Sequence, residues 1–316
     1  MNYVKDIIQF NEDRKNRRDL INILNKAYDF CGRSIYGFTT STKKRTEAEA
    51  EVKNIINIIS NDDKYLRLSN NVSVVYDQNG KKISIKFGRY IRKFFHKQWC
   101  KVNSAYMDDF ISHVNSFIAY KAFKNNYKIY NGKDIIDVYK DSKGSLVSCM
   151  SGRRSIFAKF YAINPDKVSI CVFMDNDNTP INRFLIWTDD NDNKIVDKSY
   201  GKYHCLSKFF ADEKGYYHVD NISNKRIKIT MNVCEEKYFP YVDCFYYAKP
   251  ICKGKKVILS NMLYKCTNQI TLYNTDGFCC DYNNVFAIKC PICKKSKIES
   301  YSFKYKKIVC GNCYYD

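Results

Sequence analysis

The sequence predicts an α+β chain in three parts: a helical N-terminal region over residues 1–70, a mixed central α+β domain over 71–284, and a small C-terminal zinc ribbon over 285–316. Three observations carry this expectation. Apolar residues recur at helical spacing through the first part and again over residues 104–123. From residue 127 onward the pattern changes to short apolar runs separated by turn-forming polar clusters. Two Cys-x-x-Cys units, Cys290/Cys293 and Cys310/Cys313, close the chain.

In the N-terminal region, Leu20, Ile21, Leu24 and Tyr28 share one face of a first helix, which Cys31-Gly32 ends. A polar loop over 34–45 follows. Val52, Ile55, Ile56 and Ile59 then mark a second helix, with Glu47, Glu49 and Glu51 near its start, where the helix dipole favours acids. Residues 72–87 predict a hairpin: two alternating segments flank Asp77-Gln78-Asn79-Gly80, whose Asn-Gly pair accepts the positive φ angles of a tight turn. A basic helix is expected from Gly88 to Cys100, with Ile91, Phe94, Phe95 and Trp99 as its apolar stripe. Another helix over 104–123 carries Tyr106, Phe110, Val114, Phe117 and Tyr120 on one stripe, with Asp108 and Asp109 near its start.

The central part predicts strands at 135–139, 145–150, 168–174, 183–188 and 194–200, with helices at 153–162 and 205–214. Further strands are expected at 225–233, 243–249, 256–261, 269–274 and 286–290.

Four cysteines in two knuckles supply a closed tetrahedral thiolate site, the structural arrangement for Zn²⁺. Cys290, Cys293, Cys310 and Cys313 are the expected ligands, and Gly311 helps the second knuckle turn. The sixteen residues between Cys293 and Cys310 suit a short hairpin pinned by metal, since so small a core cannot fold alone. All four thiolates are used, so this zinc has no open position for catalysis.

Lys and Arg exceed Asp and Glu by 53 to 33, a net charge of +20, which favours a polyanionic partner. Two segments concentrate the charge. Eight cations and no acid lie between Lys81 and Lys101; Lys86, Arg89, Arg92, Lys93 and Lys97 are the expected phosphate contacts there. Between the cysteine knuckles, Lys294, Lys295, Lys297, Lys304, Lys306 and Lys307 stand against one acid, Glu299, while Tyr301, Phe303 and Tyr305 alternate along the segment, cations for phosphates beside rings for stacking. Solvated surface lysines and rings that dock the ribbon onto the rest of the chain would give the same pattern. No run approaches a membrane span, and the charged N-terminal stretch does not have the form of a signal peptide. The expected location is therefore intracellular, in a host cytoplasm or viral replication compartment, with packaging in a virion as a further option. Fifteen cysteines in such a setting point to metal or burial rather than disulfides. The abundance of Lys, Asn, Ile, Tyr and Phe points to an AT-rich genome, such as that of a large DNA virus or phage.

Other candidates for chemistry are weaker. Cys149, before a predicted helix with Arg153 and Arg154, is a candidate nucleophile, with His204 or His218 as its base. Asp175, Asp177, Asp189, Asp190 and Asp192 are dense enough for a divalent cation, but they fall in turn-like stretches where Asp is common. Cys234, Cys244, Cys252, Cys266, Cys279 and Cys280 could hold a second zinc, but none forms a Cys-x-x-Cys pair.

From Val72 to Gly277 a series of short motifs occurs in order: Phe87-Gly88-Arg89, Phe110 with Val114-Asn115, and Gly132-Lys133-Asp134-Ile135 leading to Tyr139. Ser148-Cys149-Met150, Tyr161 with Asn164-Pro165, Arg183-Phe184-Leu185-Ile186-Trp187 and Asp197-Lys198-Ser199-Tyr200 follow, then Pro240-Tyr241-Val242-Asp243 and Thr275-Asp276-Gly277. In these the chain resembles a family of uncharacterised proteins of tailed phages and other large DNA viruses, with Lys198 where the family pattern has Arg. The resemblance implies a viral origin and a single central domain. It carries no reaction, and it marks Cys149, Arg183, Trp187, Asp197 and Tyr200 as positions to inspect.

The sequence thus favours a viral nucleic-acid-binding accessory protein, in transcription, RNA handling or genome packaging, with viral proteins as further partners. The alternatives are a virion or assembly protein whose ribbon contacts another protein, and an enzyme built on Cys149.

Overall fold

The computed structural model describes residues 3–31, 42–61, 65–69, 72–76, 81–97, 104–141, 146–148, 150–222, 225–232, 251–253, 256–260, 292–293, 300–302 and 307–309. Helices and a mixed sheet make it an α+β chain. Contacts divide it into two units: residues 1–124 with 203–210, and residues 125–202 with 211–316. The first unit therefore takes in the hairpin, the basic helix and the 104–123 helix, which the sequence pattern assigned to the central domain.

In the first unit, helices α1 (Tyr3–Phe30) and α2 (Thr42–Asn61) precede strands β1 (Tyr65–Ser69), β2 (Val72–Tyr76) and β3 (Lys82–Lys86). The strands form an antiparallel sheet in sequence order, with Val72 opposite Lys86 and Tyr76 opposite Lys82, the register of the expected hairpin. Helices α3 (Phe87–Phe94) and α4 (Ser104–Phe123) follow. Their apolar stripes meet in one core: Leu20, Leu24 and Ala27 of α1, Val52, Ile55, Ile56 and Ile59 of α2, Phe87 and Ile91 of α3, and Phe110 and Val114 of α4. Burial of each large side chain contributes about 1.5–3 kcal/mol, which is what fixes helices of modest intrinsic propensity. Helix α2 begins at Thr42, so Glu47, Glu49 and Glu51 lie beyond its first turn and do not face its N-terminal dipole.

The helix expected over 88–100 is interrupted. Helix α3 stops at Phe94, Phe95 leaves helical geometry at φ −121°, ψ 34°, and His96 and Lys97 are helical again. The buried stripe is Phe87, Tyr90 and Ile91 with Phe95, whereas Phe94 is 40% exposed. Trp99 and Cys100 lie outside the described residues.

The second unit is built on a six-stranded sheet. Strands β4 (Tyr127–Asn131), β5 (Val168–Met174), β6 (Pro180–Thr188), β7 (Lys194–Val196) and β9 (Tyr217–His218) run in that order, and β8 (Tyr200–Gly201) also pairs with β6. All pairs are antiparallel except β7 with β9. β5 and β6 are buried almost throughout, so both faces are covered and their sequences are largely apolar, with Asn182, Arg183 and Thr188 of β6 buried as well. Between strands lie helices α5 (Asp134–Lys140) and α6 (Lys159–Ala162), the latter preceded by a 3₁₀ turn over Gly152–Ala158. Helix α7 (Leu206–Lys214) begins in the first unit and ends in the second. A smaller antiparallel sheet joins β10 (Lys228–Asn232), β12 (Lys256–Ser260) and β11 (Ile251–Lys253), and β13 (Ser300–Ser302) pairs with β14 (Lys307–Val309).

Two expected strands are corrected. Residues 135–139 are helical: Ile135 and Tyr139 are buried one turn apart, and Asp134 and Asp137 fall in the first turn, where acids are favoured. Residues 146–148 and 150 form no strand. The expected strands at 243–249, 269–274 and 286–290 lie outside the described residues.

Candidate functional site

Strand β3 and helix α3 carry the basic surface. On β3, Ile83 and Ile85 pack toward the core while Lys82, Ser84 and Lys86 alternate outward. On α3, Phe87, Tyr90 and Ile91 are buried, and Arg89, Arg92 and Lys93 occupy the opposite face; Lys97 follows, also exposed. Arg92 and Lys93 sit in the last turn, where the helix dipole favours cations. Asp108 is 3.3 Å from Arg92, with both side chains more than half exposed, so the pair is screened and Arg92 can exchange that carboxylate for a phosphate. Lys86, Arg89, Arg92, Lys93 and Lys97 are thus displayed on a short, core-anchored stretch of chain. Lys294, Lys295, Lys304 and Lys306 lie outside the described residues.

Between Cys293 and Cys310 in the sequence, β13 and β14 pair antiparallel, with Tyr301 opposite Ile308. Of the four expected zinc ligands, Cys293 is half-buried, and Cys290, Cys310 and Cys313 lie outside the described residues.

The second unit brings several motif residues together. The indole N–H of Trp187 donates to Asp197 Oδ2 at 3.1 Å, in a fully buried setting. Arg183, 1% exposed, lies with its guanidinium 4.2 Å from the centre of the Tyr139 ring and donates to Ser148 Oγ at 2.8 Å. Tyr200 is opposite Arg183 in the β6–β8 pairing. A cavity of about 370 Å³ opens beside Arg183, with Tyr130, Asp134, Asp137 and Asp141 in its lining. Cys149 lies outside the described residues. Of its expected bases, His204 is exposed, and His218 is buried with Nδ1 accepting the Asp220 N–H at 3.2 Å.

The aspartates of the polar turns are engaged in turn geometry. Asp175 Oδ1 accepts the N–H groups of Asp177 and Thr179, and Asp189 Oδ1 accepts those of Asn191 and Asn193. Asn178 and Asp192 adopt the left-handed conformation in the same turns. Asp190 ties its turn to β10 through the Thr230 N–H and hydroxyl, and to Lys167. Of the six cysteines weighed for a second zinc, Cys252 lies in β11 opposite Val257, and the others fall outside the described residues.

The fold also makes a polar cluster in the first unit that sequence reasoning missed. Potential ligand atoms of Asp109, His113 and Cys205 lie within 4.8 Å of one another. His113 is fully buried; its Nδ1 is 2.8 Å from the Asp109 carbonyl oxygen, which makes Nδ1 the protonated nitrogen. Nε2 is then the acceptor, and the buried Lys208 ammonium approaches it at 3.2 Å. Cys31 Sγ is 3.4 Å from Asp109 Oδ2; burial, then the neighbouring carboxylate, push its thiol pKa well above the usual range. A neutral thiol is neither a good ligand nor a nucleophile. A metal would need His113 Nε2, the atom that Lys208 faces, so Lys208 supplies the cluster's positive charge. The i, i+4 spacing of Asp109 and His113 was visible in the sequence; the arrival of Cys205 and Lys208 was not.

Comparison with known protein families, with curated proteins and with solved structures finds no match to this chain.

Proposed function

We propose that this protein binds nucleic acid as a viral accessory protein, in transcription, RNA handling or genome packaging, with the exposed cations of β3 and α3 as phosphate contacts. One observation carries the proposal: Lys86, Arg89, Arg92, Lys93 and Lys97 all stand exposed on a segment whose opposite face is held by Phe87, Tyr90, Ile91 and Phe95 in the core. A fixed, predominantly cationic face can track a phosphate backbone without reading sequence. Among the described residues no helix is long and apolar enough to cross a membrane, and the basic helix is too short for a wide apolar membrane face. The C-terminal cysteines Cys290, Cys293, Cys310 and Cys313 are assigned to a structural Zn²⁺, with Lys294, Lys295, Lys304 and Lys306 between them as a second set of phosphate contacts.

The test is binding of labelled oligonucleotides by the full chain across a salt series. Affinity is expected to fall steeply with salt. Reversal of Arg89, Arg92, Lys93 and Lys97 to Glu is expected to weaken binding and to flatten the log–log salt slope by about 3. Unchanged affinity in the reversed variant would remove α3 from the interface. Absence of binding at low salt, together with recovery of the protein in purified particles, would favour the virion-assembly reading instead.

A further inference from the structure

Resting on the nucleic-acid reading of α3, we infer that this surface selects single-stranded over double-stranded nucleic acid, with Phe94 as a stacking platform for an unpaired base. Phe94 is 40% exposed at the end of a helix whose other aromatic residues are buried. Its ring is 4.9 Å from that of Tyr90, which is itself buried and set edge-on to Phe95 at 5.8 Å. The core therefore fixes the base of the platform, and little side-chain freedom is left to lose on binding. Lys93 Nζ is 5.5 Å from the Phe94 ring centre. One nucleotide can place its base against the ring and its phosphate against that ammonium, while Arg89, Arg92 and Lys97 take neighbouring phosphates.

The chemistry distinguishes strands by accessibility. In a duplex, base faces are stacked on each other and only phosphates are presented, so Phe94 adds nothing to the contact. In a single strand every base has a free π-face, and stacking is tolerant of sequence. DNA and RNA single strands share this chemistry, and the choice between them lies in contacts to the 2′-hydroxyl.

The test uses the full chain with fluorescein-labelled oligo(dT) and oligo(U) of about 16 nucleotides, and a mixed-sequence DNA duplex of the same length. The expected result is tighter binding of one or both single strands than of the duplex. Phe94→Ala is expected to weaken single-strand binding about 5- to 100-fold with duplex binding and the salt slope unchanged. Phe94→Trp is expected to restore it, which a purely structural role would not do. Equal loss on both substrates, or no preference and no effect of Phe94→Ala, overturns the inference while leaving α3 as a phosphate-binding surface. No binding to any of the three overturns both. The relative affinities for oligo(dT) and oligo(U) identify the sugar.

Discussion

Asp197 and Trp187 make a sharp test of what holds the second unit together. Both are buried, at 4% and 0% exposure, and the indole N–H reaches Asp197 Oδ2 at 3.1 Å. The other carboxylate oxygen accepts the Lys198 backbone N–H at 2.8 Å, so Asp197 ties the end of β7 back to the C-terminal end of β6. The ring of Trp187 also meets Tyr161 edge-on at 5.7 Å. Asp197→Ala deprives a buried indole N–H and a backbone N–H of a charged acceptor. Each loss costs about 1–3 kcal/mol, and a cost of about 2–4 kcal/mol in total is expected. Trp187→Phe keeps an aromatic ring against Tyr161 but removes the donor, leaving a buried carboxylate with one partner fewer, at about 2–3 kcal/mol. The two losses share one interaction, so the double variant should fall short of their sum by about 1–2 kcal/mol. Urea unfolding of all four proteins, followed by far-ultraviolet circular dichroism, measures the cycle. Additivity within about 0.5 kcal/mol would show that the hydrogen bond contributes nothing beyond the packing of each side chain.

Gly201→Ala is expected to destabilise the second unit by about 3 kcal/mol or more, visible as a lowered Tm, because φ is +138° and a Cβ there would lie 2.3 Å from the Ile181 carbonyl oxygen. Asp190 gives the acid limb of stability a definite sign. Burial alone would raise its pKa, but the Thr230 hydroxyl and N–H and the Lys167 ammonium outweigh burial and hold it below the ordinary carboxylate range. Its contribution is present above the unfolded-state pKa and is lost as pH falls through the lower folded value, so Asp190→Asn should flatten the loss of stability in acid, measured by unfolding at several pH values. Metal analysis of the purified chain is expected to find one zinc, lost when Cys290 and Cys293 are replaced by Ser; His113→Ala should leave that content unchanged, and a second zinc that this substitution removes would refute the assignment of Lys208 as the cluster's cation.

The elements legible in the sequence are those whose burial repeats with one clear period. Val52, Ile55, Ile56 and Ile59 are at most 3% exposed, as their spacing predicts. The 104–123 helix has the expected ends. β5 and β6 were recognisable from mainly apolar runs bounded by Asn/Asp turns, as a sheet covered on both faces favours. The failures are also physical. Residues 135–139 are rich in β-branched side chains, yet only Ile135 and Tyr139 of that stretch are buried, a one-turn spacing that the run of apolar letters concealed. β4 went unrecognised because its exposure pattern leaves Lys128 and Ile129 both in solvent, so no alternation marks it. The helix predicted over 88–100 is broken within an unbroken apolar stripe, because the chain turns at Phe95 and leaves Phe94 outside.

The same contrast explains which parts of a site a sequence can reveal. Charge on a surface is local: Arg89, Arg92 and Lys93 need only one anchored helix to be displayed together, with Lys97 a few residues on, and nothing distant has to arrive. The buried cluster is the opposite case. His113 and Asp109 share a helix, but Lys208 and Cys205 come from far along the chain, and Cys31 from the end of α1. Three metal-type residues at such distances invite a metal assignment, and only the position of the Lys208 ammonium against His113 Nε2 argues otherwise. A buried imidazole that accepts from an ammonium has no lone pair to give to zinc. The chemistry of that cluster therefore depends on one contact between residues 95 positions apart, a separation over which composition and periodicity carry no information.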